Sequence, residues 1–262
     1  MNFKNHLRHL LATLLLMFVS TWGTAGTQVP VIVAAADLQF ALPEIAVNFK
    51  RDTGLDVKLV FGSSGNFYRQ IAQGAPFQMF LSADEDFVLR LADAGKTVDR
   101  GDLYATGRIV IVAPRGSSLK PDAELKDLAA ALGDGRIKKF ALANPEHAPY
   151  GKRAVEALKH AKLWESIESR LVLGENVSQA AHFAVSGSAQ GGIIAYSLAL
   201  SPAIRQVADY ALIPASWHQP LVQRMALVKG AGSSAQAFYR YMQQPVARNI
   251  MKKHGFALPG EM

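Results

Sequence analysis

The segment VIVAAADLQFAL, residues 31–42, contains a strand, a turn of small residues and the beginning of a helix. Residues 30–35 form a short apolar run, as expected of a strand that is buried on both faces. From Phe40 to Asp52 apolar residues recur at helical spacing, and Gly54 then supplies a helix stop signal. Units of this kind recur along the chain, and their alternation predicts an α/β fold.

The same patterns predict the remaining elements, which restart as a second unit after residue 113. Further strands are expected at 56–61, 77–81, 108–113, 140–143, 170–173, 192–196 and 221–228. Further helices are expected at 64–73, 85–94, 125–132, 152–161, 178–185, 234–243 and 246–254. Two successive α/β units predict two lobes, and 262 residues are enough for two hydrophobic cores.

The beginning of the chain has the pattern of an export signal. Lys4 and Arg8 are basic, and residues 10–19 are apolar but too few to span a bilayer. Residues 23–25, Gly-Thr-Ala, provide the small side chains that a signal peptidase recognises. We therefore expect residues 1–25 to be a signal peptide that is cleaved near Ala25. An uncleaved N-terminal anchor is the alternative interpretation.

The composition excludes several classes of protein. The chain has no cysteine, which rules out a disulfide scaffold, a thiol nucleophile, thiolate metal ligands and a lipid-anchored cysteine. The net charge is +7, but the basic residues are spread along the chain without the interleaved aromatic residues of nucleic-acid binders. An exported chain without a lipid anchor is expected to be free in a Gram-negative periplasm, with no stable membrane insertion.

Three turns between a strand and a helix have the composition of an anion site. In residues 61–66, FGSSGN, glycines expose backbone N–H groups and serines add hydroxyl donors at a helix N-terminus, which carries partial positive charge. Residues 34–38 contain three alanines and Asp37, which we interpret first as a helix cap. Residues 144–151 place Tyr150 just before another helix. Each turn also fits an ordinary helix start, so none of them alone identifies a ligand.

Signals of catalysis are weak. Residues 117–120 match the S-x-x-K motif of penicillin-interacting enzymes, but they lie in a polar loop and the companion motifs are absent. The chain has no G-x-S-x-G, H-E-x-x-H or P-loop motif. We therefore expect a binding protein and not an enzyme.

Taken together, the turns resemble those of the periplasmic molybdate-binding proteins that serve ABC transporters, within the bacterial extracellular solute-binding proteins. The similarity covers essentially the whole mature chain and is carried by an ordered set of segments. These are VIVAAADLQFAL (31–42), FGSSGNFYRQIAQGAPFQMFLSAD (61–84), YATGRIVIVAP (104–114), LANPEHAPYG (142–151) and LVLGENVSQAAHFAVSGSAQGGIIAYS (171–197).

The resemblance implies a two-lobed, type II periplasmic binding protein fold of the α/β class, with the ligand in the cleft between the lobes. Lobe 1 would comprise residues 26–107 and 219–262, and lobe 2 would comprise residues 108–218. The implied ligand is a small oxyanion, molybdate or tungstate, with no further cofactor. The implied partners are the permease and ATPase subunits of an ABC transporter, and the implied state is a monomer.

Matching the motifs residue by residue implies five ligand-binding positions. They are Asp37, Ser63, Ser64, Tyr150 and the backbone N–H of Val177. These groups would hold molybdenum only through the oxygen atoms of the anion, without a direct bond to the metal. Another branch of the family places its tyrosine near Ala195, beside Tyr196, but the APYG turn favours Tyr150.

Asp37 departs from the serine or threonine that is usual in the family. An ionised carboxylate cannot donate a hydrogen bond, and it repels an anion. The side chain could cap the helix while its backbone N–H meets the anion, it could be protonated and donate, or it could coordinate the metal directly. We favour the cap. The departure also leaves open a binding protein for another solute, such as a phosphonate, an organic acid or a different oxyanion.

Overall fold

The computed structural model describes residues 29–260. The predicted signal peptide, residues 1–25, and its expected cleavage near Ala25 lie outside the described residues. None of the helices between residues 29 and 260 is long and apolar enough to cross a membrane.

Ten strands and eleven α-helices form within this range. The strands are β1 (Val31–Ala35), β2 (Lys58–Gly62), β3 (Met79–Ser82), β4 (Asp102–Gly107), β5 (Ile109–Pro114), β6 (Phe140–Ala143), β7 (Leu171–Gly174), β8 (Gly192–Ala195), β9 (Ala208–Leu212) and β10 (Leu221–Leu227). The helices are α1 (Ala41–Thr53), α2 (Ser64–Ala72), α3 (Glu85–Asp93), α4 (Lys126–Gly133), α5 (Pro149–His160), α6 (Trp164–Ile167), α7 (Val177–Val185), α8 (Tyr196–Ala199), α9 (Pro202–Arg205), α10 (Ser233–Met242) and α11 (Pro245–Lys253). Short 3-10 helices lie at Ala36–Leu38, Glu168–Arg170 and Ala215–Trp217.

The first sheet has the strand order β2-β1-β3-β10-β4, in which β1 is parallel to β2 and β3, and β10 is antiparallel to β3 and β4. Successive residues of β1 pack on opposite faces. Ile32 lies in a cluster with residues of α1, α10 and α11, whereas Val33 lies in a cluster with residues of α2 and α3. Burial on both faces explains why this strand is a continuous apolar run in the sequence.

The second sheet has the strand order β7-β6-β8-β5-β9, in which β6 is parallel to β7 and β8, and β5 is antiparallel to β8 and β9. Val110, Leu142 and Ile194 of this sheet share one core with Leu128 of α4 and Leu158 of α5. Each sheet forms a lobe together with the helices that cover it, which confirms the predicted α/β class. We call the lobe of the first sheet the first lobe and the other the second lobe.

The chain passes from the first lobe to the second between β4 and β5, and it returns between β9 and β10. Two connections of this kind restrict the relative motion of the lobes to bending at a hinge. The residue limits that the sequence assigns to lobes 1 and 2 stay a prediction.

The sequence patterns miss β4 and β9. Both are edge strands with several exposed residues, so neither shows the apolar run or the strict alternation of a buried strand. Helix α5 begins at Pro149 and not at the predicted residue 152, because proline is well suited to the first helical position. The other predicted strands and helices agree with the structure to within two residues at each end.

Gly151, in the first turn of α5, packs against the end of β6. A Cβ at this position would lie 2.0 Å from the carbonyl oxygen of Ala143. We expect Gly151→Ala to lower the free energy of unfolding by about 2–3 kcal/mol, because the backbone has to move to relieve the overlap.

Gly133→Ala is the matched control. That position in α4 has no atom within 4 Å of an added Cβ, and alanine stabilises a helix by about 1 kcal/mol relative to glycine. Urea denaturation measures both variants. Equal stability of the Gly151→Ala and Gly133→Ala proteins would contradict the close packing of α5 on β6.

Candidate functional site

The two lobes enclose a small cavity at the carboxyl ends of strands from both sheets. Its lining residues are Ala35, Ala36, Asp37, Gly62, Ser63, Ser64, Ala83, Ala148, Pro149, Tyr150 and Val177. All five sequence-predicted site residues therefore line one cavity, although they are far apart in the chain. Their roles toward a ligand stay a prediction.

Turns between strands and helices bring these residues together. In the first lobe, β1 leads into the 3-10 helix at Ala36–Leu38, and β2 leads almost directly into α2. In the second lobe, the loops after β6 and β7 lead into α5 and α7. The N-termini of α2, α5 and α7 thus lie at the same cavity, and each has unsatisfied N–H groups and partial positive charge. Such an arrangement stabilises an anion without a formal cation.

The hydroxyl groups of Ser63 and Ser64 have different partners. Ser64 Oγ accepts a hydrogen bond of 3.0 Å from the backbone N–H of Ala83, which leaves the Ser64 hydroxyl hydrogen to donate into the cavity. Ser63 Oγ lies 2.9 Å from Nδ1 of His147, in the second lobe. The Ser63 hydroxyl can donate to a ligand only when this ring nitrogen carries a hydrogen. Ser64 is therefore the better placed donor.

The N-terminus of α7 is capped by a side chain. The carboxamide oxygen of Asn176 accepts hydrogen bonds of 3.0 Å from the backbone N–H groups of Ser178 and Gln179. This cap occupies the second and third N–H groups of the helix and not the first, which belongs to Val177. The N–H of Val177 is therefore left for an anion in the cavity.

Asp37 is buried, with 1% of its surface exposed. Its Oδ2 atom accepts two hydrogen bonds, one of 2.9 Å from the hydroxyl of Tyr150 and one of 2.7 Å from Nε2 of Gln223. Its Oδ1 atom is buried without a hydrogen-bond partner among residues 29–260. The favoured interpretation of Asp37 as a helix cap is wrong, because neither the 3-10 helix nor α1 has a side-chain cap. Donors on α5 and β10 bind the carboxyl group instead.

Burial raises the pKa of Asp37 from 3.8 to about 6, although the hydrogen bonds from Gln223 and Tyr150 and the nearby backbone N–H groups of Asp37 and Leu38 act in the opposite direction. Burial is also the main reason why the pKa of Tyr150 lies well above its usual value, and the nearby Asp37 carboxyl group adds to this effect. The Tyr150 hydroxyl therefore remains protonated and continues to donate to Asp37 at any physiological pH.

Gln223 is the residue of this cluster that the sequence analysis missed. Its side chain is fully buried, and its Nε2 also lies 3.2 Å from the Tyr150 hydroxyl. The sequence does contain a signal for this residue. The period of two in β10 places Gln223 on the same buried face as Leu221 and Met225. A polar residue at such a position needs a hydrogen-bond partner in the interior.

Gly107, at the end of β4, makes room for this cluster. A Cβ at this position would lie 2.2 Å from the Tyr150 hydroxyl oxygen and 2.7 Å from Nε2 of Gln223. No side chain larger than hydrogen fits there without displacing both donors to Asp37.

Hydrogen bonds across the cleft close the lobes around the cavity. The backbone N–H of Gly65 donates to the carbonyl oxygen of His147 at 2.9 Å. The hydroxyl of Ser197 donates to the backbone carbonyl oxygen of Asp37 at 2.8 Å. Each bond joins a residue of the first lobe to a residue of the second lobe, so the structure represents a closed state.

The donors around the cavity are neutral. No lysine, arginine or histidine is among its lining residues in the described part of the chain. Residues 29–260 also contain no group of three histidine, aspartate or glutamate side chains that could hold a metal ion. Tyr196, the alternative tyrosine, does not line the cavity, and its ring packs against the guanidinium group of Arg108 at 4.7 Å. The arrangement suits an anion that is bound through its oxygen atoms.

Comparison with known proteins identifies the family of the chain. The sequence profile of the family described as bacterial extracellular solute-binding protein matches residues 30–257. The molybdate-binding protein ModA of Rhodobacter capsulatus is 33% identical over 237 residues, which cover 86% of this chain and 87% of the relative. The ModA protein of Azotobacter vinelandii is 34% identical over 230 residues, which cover 87% of this chain and 89% of the relative.

A solved structure extends the comparison to the fold. The periplasmic molybdate-binding protein of Azotobacter vinelandii superposes with a TM-score of 0.80 at 31% sequence identity, covering 88% of this chain and 99% of that chain. The fold is therefore the two-lobed, type II periplasmic binding protein fold that the resemblance implied.

The raised pKa of Asp37 predicts a pH-dependent cost to the ligand-free folded state. The folded state holds the proton on Asp37 more tightly than the unfolded chain does. The contribution of Asp37 to the free energy of unfolding is therefore complete below about pH 4 and is lost as the pH rises through about 6. A difference of about two pH units corresponds to about 3 kcal/mol. We expect Asp37→Asn to raise the free energy of unfolding by about this amount at pH 8, and to change it little at pH 4.

Urea denaturation of the wild type and of Asp37→Asn at the two pH values measures this effect. A difference in stability that is the same at pH 4 and pH 8 would contradict a raised pKa at Asp37.

Proposed function

The chain belongs to the bacterial extracellular solute-binding protein family, and on that premise we propose that it captures molybdate in the cavity between its lobes. It then delivers the anion to the permease and ATPase subunits of an ABC transporter. The observation that carries this proposal is the convergence of hydroxyl and N–H donors on one closed cavity without a cationic lining residue in the described chain. The names of the relatives, which are molybdate-binding proteins, support the choice of anion.

The proposed binding mode uses donors from both lobes. The Ser64 hydroxyl reaches the anion from the first lobe, and the N–H of Val177 reaches it from the second lobe. Ser63 lies beside Ser64, and Tyr150 forms the wall of the cavity while it holds Asp37. Because the donors come from both lobes, the anion can contact all of them only when the cleft is closed. Binding and closure therefore occur together.

Neutral donors suit selective capture. A lysine or arginine in the site would attract phosphate and sulfate through charge alone. Fixed hydroxyl and N–H groups instead bind most strongly an anion whose oxygen atoms fit their positions. Sulfate is smaller than molybdate, so the size of the cavity discriminates between them. Tungstate has nearly the size of molybdate and competes for the same site.

The strength of binding follows from the number of donors. Each hydrogen bond to a charged group contributes about 1.5–3 kcal/mol. Several such bonds, offset by desolvation of the anion and by the cost of closure, support a Kd between about a micromolar and a nanomolar.

The protein acts in the periplasm as a monomeric carrier and not as an enzyme. Its family membership and the periplasmic relative from Azotobacter vinelandii support this role, as does the predicted export signal. A carrier requires no cofactor besides its cargo. The alternative of a phosphonate or organic-acid carrier is not favoured by the relatives, which are molybdate-binding proteins.

A thermal shift experiment tests the choice of anion. A ligand that binds only the folded state raises Tm with its concentration relative to Kd. We expect molybdate and tungstate to raise Tm strongly at millimolar concentration, and sulfate and phosphate to leave it nearly unchanged. No shift with molybdate or tungstate, or a larger shift with phosphate or a phosphonate, would refute molybdate as the cargo.

Replacement of a donor tests the location of the site. Ser64→Ala removes one hydrogen bond to the anion, so we expect Kd for molybdate to rise about 10- to 100-fold in isothermal titration calorimetry. Ser188→Ala is the matched control, because Ser188 is exposed and its hydroxyl contacts that of Ser186. Unchanged affinity in the Ser64→Ala protein would show that molybdate binds elsewhere.

A further inference from the structure

Asp37 provides the one carboxyl group among the lining residues of the cavity in the described chain. Its two oxygen atoms have different surroundings. Oδ2 accepts hydrogen bonds from Tyr150 and Gln223, whereas Oδ1 is buried without a partner. An oxygen that already accepts two hydrogen bonds has both lone pairs occupied. A proton on this carboxyl group therefore resides on Oδ1, where no atom of residues 29–260 accepts it.

We propose that Asp37 binds the oxyanion in its protonated form, with the Oδ1 hydroxyl donating to one oxygen of the anion. Capture of each anion is then coupled to the uptake of one proton from solvent. The only covalent bond that forms is the O–H bond at Oδ1, and it breaks again when the anion leaves. The inference rests on the proposed function, because it concerns the same cavity and the same anion.

Electrostatics favour the protonated form in the complex. An ionised Asp37 would face a dianion in a site from which the protein excludes water, and like charges repel strongly there. An ionised Oδ1 could also only accept a hydrogen bond, as could every oxygen of the anion. Protonation removes the repulsion, and it gives the buried Oδ1 atom the partner that a polar group in the interior requires.

Burial allows Asp37 to take up a proton near neutral pH. Burial already raises the pKa of Asp37 to about 6 without a ligand, and a neighbouring anion raises it further. A carboxyl donor also contributes to selectivity, because it forms a stronger hydrogen bond to the more basic oxygen atoms of molybdate than to those of sulfate.

The other ionisable groups on the elements around Asp37 do not replace it in this role. They include Tyr104 on β4, Tyr150 on α5, His182 on α7, Tyr196 on α8 and Lys58 at the start of β2. The charged residues of β4, α5 and β10 are exposed or have other partners: Asp102 accepts from Tyr239, Arg153 pairs with Glu156, and Arg224 pairs with Glu85. Lys152, Lys159 and His160 of α5 are exposed. Burial raises the pKa of Tyr104 and Tyr150 well above the usual value, so both stay neutral. His182 and Lys58 are exposed to solvent. His147 contacts Ser63, and Asp84 directly follows the lining residue Ala83, so the experiment has to separate both groups from Asp37.

Proton uptake can be measured directly. The purified protein is titrated with molybdate at pH 7 in buffers of different ionisation enthalpy, and the dependence of the heat on the buffer gives the number of protons taken up. We expect close to one proton per bound anion. Because one proton is linked to binding, Kd for molybdate is expected to rise about tenfold between pH 7 and pH 8.

Asp37→Asn is the decisive variant, since its carboxamide accepts at one atom and donates at the other, as the protonated carboxyl group does. We expect this protein to bind molybdate with no proton uptake and with a Kd that does not change between pH 7 and pH 8. Glu175→Gln is the matched control, because Glu175 is exposed at the rim of the cleft, 3.5 Å from Nε2 of His147. It is expected to keep the proton uptake of the wild type.

Three results would overturn the inference. Molybdate binding by the wild type without proton uptake would do so and would leave the proposed function intact. Proton uptake that persists in Asp37→Asn would also do so, because it would assign the proton to another group such as His147. Absence of molybdate binding by the wild type at every pH would refute the proposed function together with the inference.

Discussion

Two hydrogen bonds to the buried carboxyl group of Asp37 connect the three segments on which the site depends. Asp37 follows β1 in the first lobe, Tyr150 begins α5 in the second lobe, and Gln223 lies on β10, the strand that returns to the first sheet. The bond from Tyr150 crosses the cleft, so it forms only when the lobes are closed. Gly107, beside the crossing from β4 to β5, leaves the space in which the three side chains meet. Closure of the cleft and assembly of the site are therefore the same event.

The fold provides for an anion without placing a cation in the cavity. Parallel strands of both sheets end at the cleft, and the helices that follow them begin there with unsatisfied N–H groups. Asn176 caps α7 without using the N–H of Val177, and Ser64 accepts from the backbone of Ala83 while keeping its own hydrogen to donate. Many of these neutral donors belong to the backbone or to short side chains, so the ligand has to approach the backbone closely. The cavity is accordingly lined mainly by small residues. Protonation of Asp37, as proposed above, would make this single carboxyl group part of the binding chemistry.

Much of this arrangement could be predicted from local sequence patterns. The buried strands and amphipathic helices have clear periodicities, and the small-residue turns locate the cavity-lining residues because strand ends and helix starts meet at one edge of a sheet. The edge strands β4 and β9 were missed, since half-exposed strands lack a clear apolar pattern. The partners of Asp37 were also missed. Local sequence suggests a helix cap at Asp37, whereas the donor Gln223 is 186 positions away and reaches it only through the tertiary fold. Hydrogen bonds between distant segments cannot be inferred from the pattern of either segment alone.

The most direct measurement of the central claim is a crystal structure of the protein with molybdate, with the metal located by anomalous scattering at the molybdenum absorption edge. We expect one tetrahedral oxyanion in the cavity between the lobes, with its oxygen atoms within hydrogen-bond distance of Ser64 Oγ, the N–H of Val177 and Oδ1 of Asp37. Molybdenum outside this cavity, or a direct bond from the metal to Asp37, would contradict binding of the anion by neutral donors around a protonated carboxyl group.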